Sequence, residues 1–182
     1  DMSITENNQV LYYVLSLCEV TGTGGTADTF TFGDIYYGGK KVVFRGDGYT
    51  VDSLVDESNG VTDSTVSGKI QIYLYNNGSN SPANSGSSAI SVMQDSGLVY
   101  KWDSTKLMSN CVFAIIRLQY SVTANIRGIN QTRFQVTNSR TKPGDVLLDY
   151  MQNARYGAAI PVTQIDTTAL TALNTYSDVS VT

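Results

Sequence analysis

The sequence contains no histidine. Histidine is the commonest general base and metal ligand in proteins, and it supplies the base of the Ser-His-Asp and Cys-His nucleophile systems. Those systems are therefore excluded for this chain. Charged residues are also scarce, at 15% of 182 residues, whereas 41% are hydrophobic. This composition is typical of a globular protein that makes many uncharged hydrogen bonds to its neighbours, as assembled proteins often do.

Cysteines and long apolar runs are equally scarce. Cys18 and Cys111 lie in separate apolar runs, with no partners at metal-binding spacing, and two buried thiols are a better interpretation than a disulfide. No apolar run reaches the roughly 18 residues of a membrane-spanning helix, so no stable membrane insertion is expected. The sequence predicts no catalytic residue, no cofactor and no metal ligand.

Basic residues are too dispersed for a nucleic-acid groove. Residues 1–100 carry 4 basic and 11 acidic side chains, and residues 101–155 carry 8 basic and 3 acidic ones. The arginines of the second part follow predicted strands without accompanying aromatic clusters: Arg117, Arg127, Arg133 and Arg140. Specific nucleic-acid binding is therefore not expected, and contact between acidic and basic surfaces, within or between chains, is the preferred interpretation.

The abundant residues are Ser, Thr, Asn, Gly and Tyr, which favour strands and polar turns. Apolar or alternating runs predict strands at 10–20, 29–37, 40–45, 68–75, 110–122, 126–129 and 133–136. A two-residue turn at Gly38 and Gly39 predicts a hairpin. The acidic stretch from Asp47 to Asp63 reads as strand-poor. It lacks the EF-hand pattern, so a solvated acidic loop is preferred there to a calcium site.

The predicted fold is mainly β, an antiparallel sandwich or barrel-like arrangement with one or two C-terminal helices, and α+β overall. A β-rich portion is expected over 1–110, with a long flexible loop at 76–88 that is rich in Asn, Ser and Gly. Strands and then helices at 143–156 and 166–176 are expected over 111–182. The chain is expected to be a fragment of a longer one.

The helix at 143–156 has the clearest signals. Pro143 suits a first helical position, Asp145 complements the helix dipole, and Gly157 suits a left-handed cap. Val146, Leu147, Tyr150, Met151 and Ala154 recur at helical spacing and predict one apolar face. Asp166 is the expected cap of the second helix.

Two alternatives from other functional classes were weighed. Tyrosines on predicted strands, with Trp102, could form the sugar-stacking surface of an adhesin or carbohydrate-binding module; these tyrosines are Tyr12, Tyr13, Tyr36, Tyr37, Tyr73 and Tyr75. Asp145 and Asp149 could be the paired carboxylates of a cell-wall hydrolase. Amphipathic strand formers and a solvated helix face are the simpler interpretations of the two sets.

The stretch Lys-Pro-Gly-Asp-Val-Leu-Leu-Asp-Tyr-Met-Gln-Asn-Ala-Arg-Tyr-Gly at 142–157 resembles a recurrent phrase of a tailed-bacteriophage family. This is the lambda-type tail-tip attachment, or central tail hub, family. The matching residues are Pro143, Asp145, Asp149, Asn153, Arg155, Tyr156 and Gly157. Lys142 and Ala154 depart from the pattern, where Asn and Pro are usual. Less specific similarities cover 10–20, 32–42, 112–120 and 126–129.

The resemblance implies a non-enzymatic virion protein of the tail tip or baseplate hub. It implies β-rich hub domains that assemble as a homotrimer, close the end of the tail tube and connect it to the host-recognition parts. The expected partners are copies of the chain itself and other tube, baseplate or fibre proteins. The matching residues 143–157 are implied to be structural, and no catalytic residue carries over.

Overall fold

The computed structural model describes residues 2–3, 9–23, 26–94 and 102–178. The strands in chain order are β1 Met2–Ser3, β2 Val10–Glu19, β3 Gly22–Thr23, β4 Thr26–Ala27, β5 Phe30–Tyr37, β6 Lys40–Phe44, β7 Val51–Asp56, β8 Val61–Asp63, β9 Ile70–Tyr75, β10 Cys111–Gln119 and β11 Thr132–Asn138. The helices are α1 Ala89–Met93, α2 Pro143–Gln152 and α3 Thr167–Ser177, with a 3₁₀ turn at Val162–Gln164.

Two antiparallel sheets form most of the fold. One has the strand order β1-β2-β10-β9, and the other has the order β11-β5-β6-β7-β8. A third, two-stranded sheet joins β3 to β4. The prediction of a mainly β, α+β fold is therefore confirmed.

The main core lies between the two large sheets. Ile35 and Leu54 of one sheet belong to the same buried cluster as Ile72 and Ile116 of the other. A second cluster covers the opposite face of the β2-β10-β9 sheet, where α1 contributes Ala89 and Met93. The residues from 113 to 116 alternate between these two clusters, and Val112 is buried in a third one. This explains why the sequence of β10 is almost continuously apolar.

The predicted hairpin is present, and other local predictions need correction. Gly38 and Gly39 have φ angles of 59° and 80°, which suit a tight hairpin turn between β5 and β6. The acidic stretch is not strand-poor, because it contains β7 and β8. In β7 the exposed Asp52 lies at a register shift between the buried Val51 and Ser53, and Leu54 is also buried, so the charged residues belong to a half-buried strand. The predicted strand at 126–129 is reduced to one bridge between Ser121 and Ile126.

The predicted strand at 10–20 is present as β2, and most of its side chains are only half-buried although the run is largely apolar. Cys18 of this strand and Cys111 of β10 are free thiols and are also half-buried. Burial raises the pKa of Cys18, with a smaller contribution from Cys111. Cys18 and Cys111 are thus two thiols and not a disulfide, as the sequence predicted, although neither is fully buried.

The loop at 76–88 is anchored by one side chain. Asn84 Nδ2 donates to the carbonyl oxygens of Gly48 at 2.9 Å and Ile72 at 2.8 Å, and its Oδ1 accepts from the N–H of Leu74 at 2.8 Å. Ser79 is 1% exposed and donates to the Lys106 carbonyl oxygen at 2.6 Å. Asn84 and Ser79 thus attach the loop at two points, and the flexibility of the loop stays a prediction.

The chain divides into two compact units. The larger unit comprises Asp1–Val20 and Phe30–Thr137 and holds both large sheets; the smaller one comprises Thr21–Thr29 and Asn138–Thr182 and holds α2 and α3. The division expected near residue 110 falls within the larger unit, because β10 pairs with both β2 and β9.

Candidate functional site

The residues of the phage-like phrase (142–157) lie in α2 and the turn that follows it. Pro143 starts the helix, and the N-cap residue Lys142 makes no side-chain capping bond. Asp145 lies in the first turn, where its charge complements the exposed N–H groups. Its Oδ1 also accepts a hydrogen bond from Asn174 Nδ2 of α3 at 2.8 Å. Asp145 therefore links the two helices.

Arg140 is the centre of a buried ion cluster in the smaller unit. Its side chain is 6% exposed, and its two terminal nitrogens lie 2.8 Å from Asp28 Oδ2 and 2.9 Å from Asp149 Oδ1. Burial alone would lower the pKa of Arg140, but its hydrogen bonds to Asp149 and Asp28 and their charges raise it overall. The Tyr156 hydroxyl donates to the other Asp149 oxygen at 2.6 Å, and Thr21 donates to Asp28. The guanidinium thus stays charged and holds three chain segments together.

This cluster accounts for two residues of the phrase and adds two that the sequence did not indicate. Asp149 and Tyr156 belong to the phrase, whereas Arg140 precedes it and Asp28 lies 112 positions before Arg140. No local spacing connects residues so far apart, so no sequence signal could have paired them. Asp149 is a partner of Arg140 and Tyr156. The cell-wall hydrolase alternative would instead use Asp149 as a reacting carboxylate.

Asn153 ends α2 four residues before the predicted end. The helix stops at Gln152, and Asn153 itself is extended, with φ −68° and ψ 124°. Its Oδ1 accepts hydrogen bonds from the N–H of Arg155 at 2.9 Å and of Tyr156 at 3.3 Å. An Asn side chain that satisfies the following N–H groups stabilises a turn and competes with helix continuation.

Gly157 allows this turn because it has no side chain. The φ angle of Gly157 is not positive, so the predicted left-handed helix cap is wrong. A Cβ at Gly157 would lie 1.8 Å from the Tyr150 carbonyl oxygen. That oxygen accepts from Ala158 N at 2.9 Å, and the Met151 carbonyl accepts from Ile160 N at 2.7 Å. Only a residue without a side chain allows the returning chain to approach α2 this closely.

A second glycine allows α2 and α3 to meet. Gly144 is buried, and a Cβ there would lie 2.2 Å from the Leu170 carbonyl oxygen. Its N–H donates to Asn174 Oδ1 at 2.7 Å, so Asn174 contacts both Gly144 and Asp145. Asp166 caps α3, as predicted, by accepting from the N–H groups of Thr168 and Ala169. The helix pair is therefore joined largely by polar contacts.

Three residues of the predicted apolar face of α2 are open to solvent, whereas Met151 is half-buried and Ala154 lies beyond the end of the helix. Val146 is 51% exposed, Leu147 42% and Tyr150 54%. Of the described residues in the smaller unit, only Gly144 and Ile165 are buried. Its exposed large hydrophobic side chains are Val146, Leu147, Tyr150, Tyr156, Val162, Leu173 and Tyr176. We call this set the helical apolar surface. Such an amphipathic helix normally covers its apolar face against another element.

A groove of about 590 Å³ adjoins this surface within the same unit. Leu148 of α2 lines one side, and Ile160, Pro161 and Val162 of the returning chain line the other. The groove exists because the turn at Asn153 brings residues 158–162 back beside α2. Its lining is mainly apolar, which suits another protein segment better than a charged ligand.

The structure brings only some of the candidate tyrosines together. Tyr37 is buried and Tyr13 partly buried in the core between the sheets. Tyr36 donates to Glu57 at 3.0 Å. Tyr75 is fully buried and stacks on Phe113 with ring centroids 4.7 Å apart. Trp102 packs on the second cluster and donates its Nε1–H to the Lys106 carbonyl oxygen at 2.7 Å.

Tyr12 and Tyr73 line a separate pocket of about 400 Å³ in the larger unit, which we call the aromatic pocket. Its lining also includes Tyr49, Gln71 and Arg117, with Ser87, Ser91 and Val92 from the loop and from α1. The rings of Tyr49 and Tyr73 stack with centroids 4.8 Å apart and an interplanar angle of 22°. Burial raises the pKa of Tyr73 well above its usual range, so this phenol is neutral near pH 7.

The turn before β7 holds Tyr49 in place. Asp47 Oδ1 accepts from the N–H groups of Tyr49 at 3.0 Å and Thr50 at 2.8 Å, and hydrogen bonding lowers the pKa of Asp47 despite an opposing effect of burial. Gly48 has a φ of 78°, which favours glycine. Ile72 N donates to the Tyr49 carbonyl oxygen at 2.8 Å. The Tyr49 ring is therefore fixed beside β9 by its own backbone.

The described ranges contain neither a metal-binding cluster nor a membrane-spanning helix. Within 2–3, 9–23, 26–94 and 102–178, no group of three or more Cys, Asp or Glu side chains is arranged to hold a metal ion. No helix among the same residues is long and apolar enough to cross a membrane.

Comparison with models of protein families, with curated proteins and with solved structures found no match to this chain.

Proposed function

We propose that this chain is a structural, non-enzymatic virion component of a bacteriophage tail tip or baseplate hub that associates with further copies of itself, as a trimer. The observation that carries this proposal is the helical apolar surface. A unit of the chain with two buried described residues and seven exposed large hydrophobic ones has its apolar side chains placed for contact with another molecule.

The free energy available from covering this surface is substantial. Burying one Val or Leu side chain completely contributes roughly 1.5–3 kcal/mol. Val146, Leu147 and Tyr150 are each about half exposed, so covering these three would contribute a few kcal/mol per chain before the entropy of association is subtracted. That is enough to matter for the small unit, whose own interior contributes little.

The phage-like phrase supports the same proposal from another direction. Asp149 and Tyr156 join the Arg140 cluster, Asn153 ends α2, and Gly157 admits the returning chain. Each of these residues has a distinct structural contact. The resemblance to the tail hub family implies that these residues are structural, and their contacts agree with a structural role.

A second copy is the preferred occupant because homo-oligomers with closed symmetry are the commonest assemblies. The charge distribution is compatible with such contacts, since the chain is acidic over 1–100 and basic over 101–155. The groove beside α2 would receive an apolar side chain or helix end of the neighbouring copy.

The assembly is tested by sedimentation velocity of the chain over a range of concentrations. We expect a trimer, and we expect Leu147→Glu to shift it to the monomer by placing a charge in the covered surface. The matched control is Val61→Glu, at an exposed valine of β8 in the larger unit, which should still form the trimer. A monomer at all concentrations, or dissociation by both variants alike, would contradict the proposal.

The virion location is tested separately. Bacteriophage particles that encode this chain would be purified, and antibodies against the chain would be located on them by electron microscopy. We expect labelling at the end of the tail. Purified particles without the chain would overturn the tail-tip assignment even if the chain forms a trimer.

A further inference from the structure

We propose that the aromatic pocket is a binding site for a sugar ring that carries a carboxylate, such as a uronic acid residue of an acidic polysaccharide. The site is independent of the assembly role, because all its lining residues lie in the larger unit. Its volume of about 400 Å³ is in the range of small-molecule sites.

Three strands place the polar residues of the pocket in one row. Arg117 of β10 is paired in register with Tyr12 of β2 on one side and with Gln71 of β9 on the other. Directly opposed residues on neighbouring strands project to the same face, with Cβ atoms about 5 Å apart. The sheet therefore presents an aromatic ring, a guanidinium and an amide side by side, on rigid elements.

Arg117 provides the positive charge. Its guanidinium carbon lies 5.9 Å from the Tyr12 ring centroid. No carboxylate forms an ion pair with Arg117 among the residues that the structure describes. Arg140, by contrast, is neutralised by two carboxylates. A half-buried guanidinium without an acidic partner is suited to accept a ligand carboxylate through two parallel N–H···O bonds.

Gln71 adds a hydrogen-bonding group. Its Oε1 accepts from the Tyr73 hydroxyl at 3.0 Å. Within the described part of the chain, no hydrogen bond is formed by its amide nitrogen, which leaves two N–H donors for ligand hydroxyls. The hydroxyls of Ser87 and Ser91 stand at the exposed rim. Several uncharged donors and acceptors around one cation fit a polyhydroxylated ligand.

The stacked tyrosines provide the remaining feature. Tyr49 and Tyr73 are both half-buried, their rings stack on each other, and both line the pocket where a ligand ring would pack. The C–H groups of a sugar ring pack on such a face through dispersion and weak C–H contacts. Because the Tyr49 backbone is fixed by Asp47 and β9, the ring is already in place before binding, which lowers the entropy lost on binding.

The charge balance limits the ligand to a single carboxylate per ring. Among the described residues that line the pocket, Arg117 is the only cation, whereas Asp47 is close enough to raise the pKa of Tyr73 slightly, as the smallest of several causes. A polyphosphate or a nucleic acid needs several cations, and one arginine beside a carboxylate does not supply them. One guanidinium matches one carboxylate.

The binding test uses the full chain and three matched probes: a galacturonic acid trisaccharide, its methyl ester and a galactose trisaccharide. Isothermal titration and saturation-transfer NMR would measure their affinities. We expect the acid to bind at least tenfold more tightly than the ester or the neutral sugar. An array of acidic and neutral glycans extends the comparison to other ring types. Equal binding of acid and ester would overturn the role of the carboxylate, and an array without any bound acidic glycan would overturn the site.

Variants locate the binding within the pocket. Arg117→Gln should lower the affinity for the acidic probe at least tenfold, and Tyr49→Ala at least fivefold. Arg133→Gln, at an exposed arginine of β11, is the matched control and should bind as the parent chain does. Near-ultraviolet circular dichroism would show that each variant is folded. Unchanged affinity in the folded Arg117→Gln variant would contradict the proposal, whatever the assembly experiments show.

Discussion

The two units of this chain achieve order in different ways. In the larger unit, Val51, Ile70, Ile72 and Ile116 are completely buried between two sheets. In the smaller unit the charged Arg140 side chain is buried between two carboxylates, and Val146, Leu147 and Tyr150 of α2 are exposed to solvent. A hydrophobic core stabilises a fold by itself. A buried ion cluster mainly selects one geometry, because desolvation offsets most of its Coulombic gain.

Within the part of the chain that the structure describes, α2 and α3 form although several of their apolar side chains stay exposed. The larger unit is organised around an apolar core, whereas the smaller one is arranged mainly by polar contacts. Four predictions test this contrast, each with a matched control.

The largest effect is expected from a core truncation in the larger unit. Ile116→Ala removes a fully buried side chain from the core between the sheets and should lower the free energy of unfolding by about 2–5 kcal/mol. Val146→Ala, at a half-exposed position of α2, should change it by less than about 0.5 kcal/mol in dilute solution. Urea unfolding followed by Trp102 fluorescence would measure both. Similar losses for the two variants would mean that α2 is packed as firmly as the sheets.

The ion cluster should matter only to the smaller unit. Arg140→Met leaves Asp28 and Asp149 without their cation and should destabilise α2 by about 3 kcal/mol. Hydrogen exchange detected by mass spectrometry should show faster exchange over 143–152 and unchanged exchange over 111–119. Arg133→Met, at an exposed arginine, is the control. If exchange stays slow over 143–152, the cluster does not hold the helix.

The helix pair should be sensitive to a single methyl group. Gly144→Ala places a Cβ against the Leu170 carbonyl oxygen and should destabilise the pairing of α2 with α3 by about 1–3 kcal/mol, since backbone atoms cannot move aside easily. Gly46→Ala, where a Cβ meets open space, should be neutral. Thermal unfolding followed by far-ultraviolet circular dichroism would compare the two. An unaffected helix signal in Gly144→Ala would argue against this close crossing.

The smallest effect concerns pH. Burial, and then the hydrogen bond to Asp149, raises the pKa of Tyr156 from 10.0 to about 12. The folded chain thus keeps a proton that the unfolded chain releases, so the stabilisation is complete below pH 10 and disappears as the pH rises through about 12. Because Tyr156 is partly exposed, solvent screening keeps the change below about 1 kcal/mol.

The matching measurement is the helix signal of the parent chain, of Tyr156→Phe and of Tyr120→Phe between pH 10 and 12. Only Tyr156→Phe should lose part of the alkaline dependence, because Tyr120 is an exposed tyrosine of the larger unit. Identical curves for the three chains would show that Tyr156 does not couple α2 to the ion cluster.

Local sequence signals predicted the parts of this fold that depend on neighbouring residues. The glycine hairpin, the strand pattern of β9, the start of α2 at Pro143 and the N-cap of α3 at Asp166 all follow from spacing within a few positions. The sequence obscured β7 because Asp52 and Asp56 interrupt its apolar residues and the strand has no regular alternation. The helix predicted from the sequence is four residues longer than α2, because Asn153 ends the helix.

Both candidate sites depend on long-range contacts, which explains why the sequence did not reveal them. Arg140 meets Asp28 across 112 positions, and the aromatic pocket joins side chains from β2, β9 and β10 with a turn residue, Tyr49. Tyr12 and Tyr73 were candidates from their strand positions, but nothing local placed Arg117 between Tyr12 and Gln71. Sheet register determined this arrangement.

We propose that another copy of the chain completes the smaller unit. Hydrogen exchange measured at increasing chain concentration tests it most directly. We predict that protection over 143–152 and 167–177 rises with concentration, while protection over the β10 range, 111–119, stays constant. Protection of α2 and α3 that is already complete in dilute solution and does not change with concentration would contradict the claim.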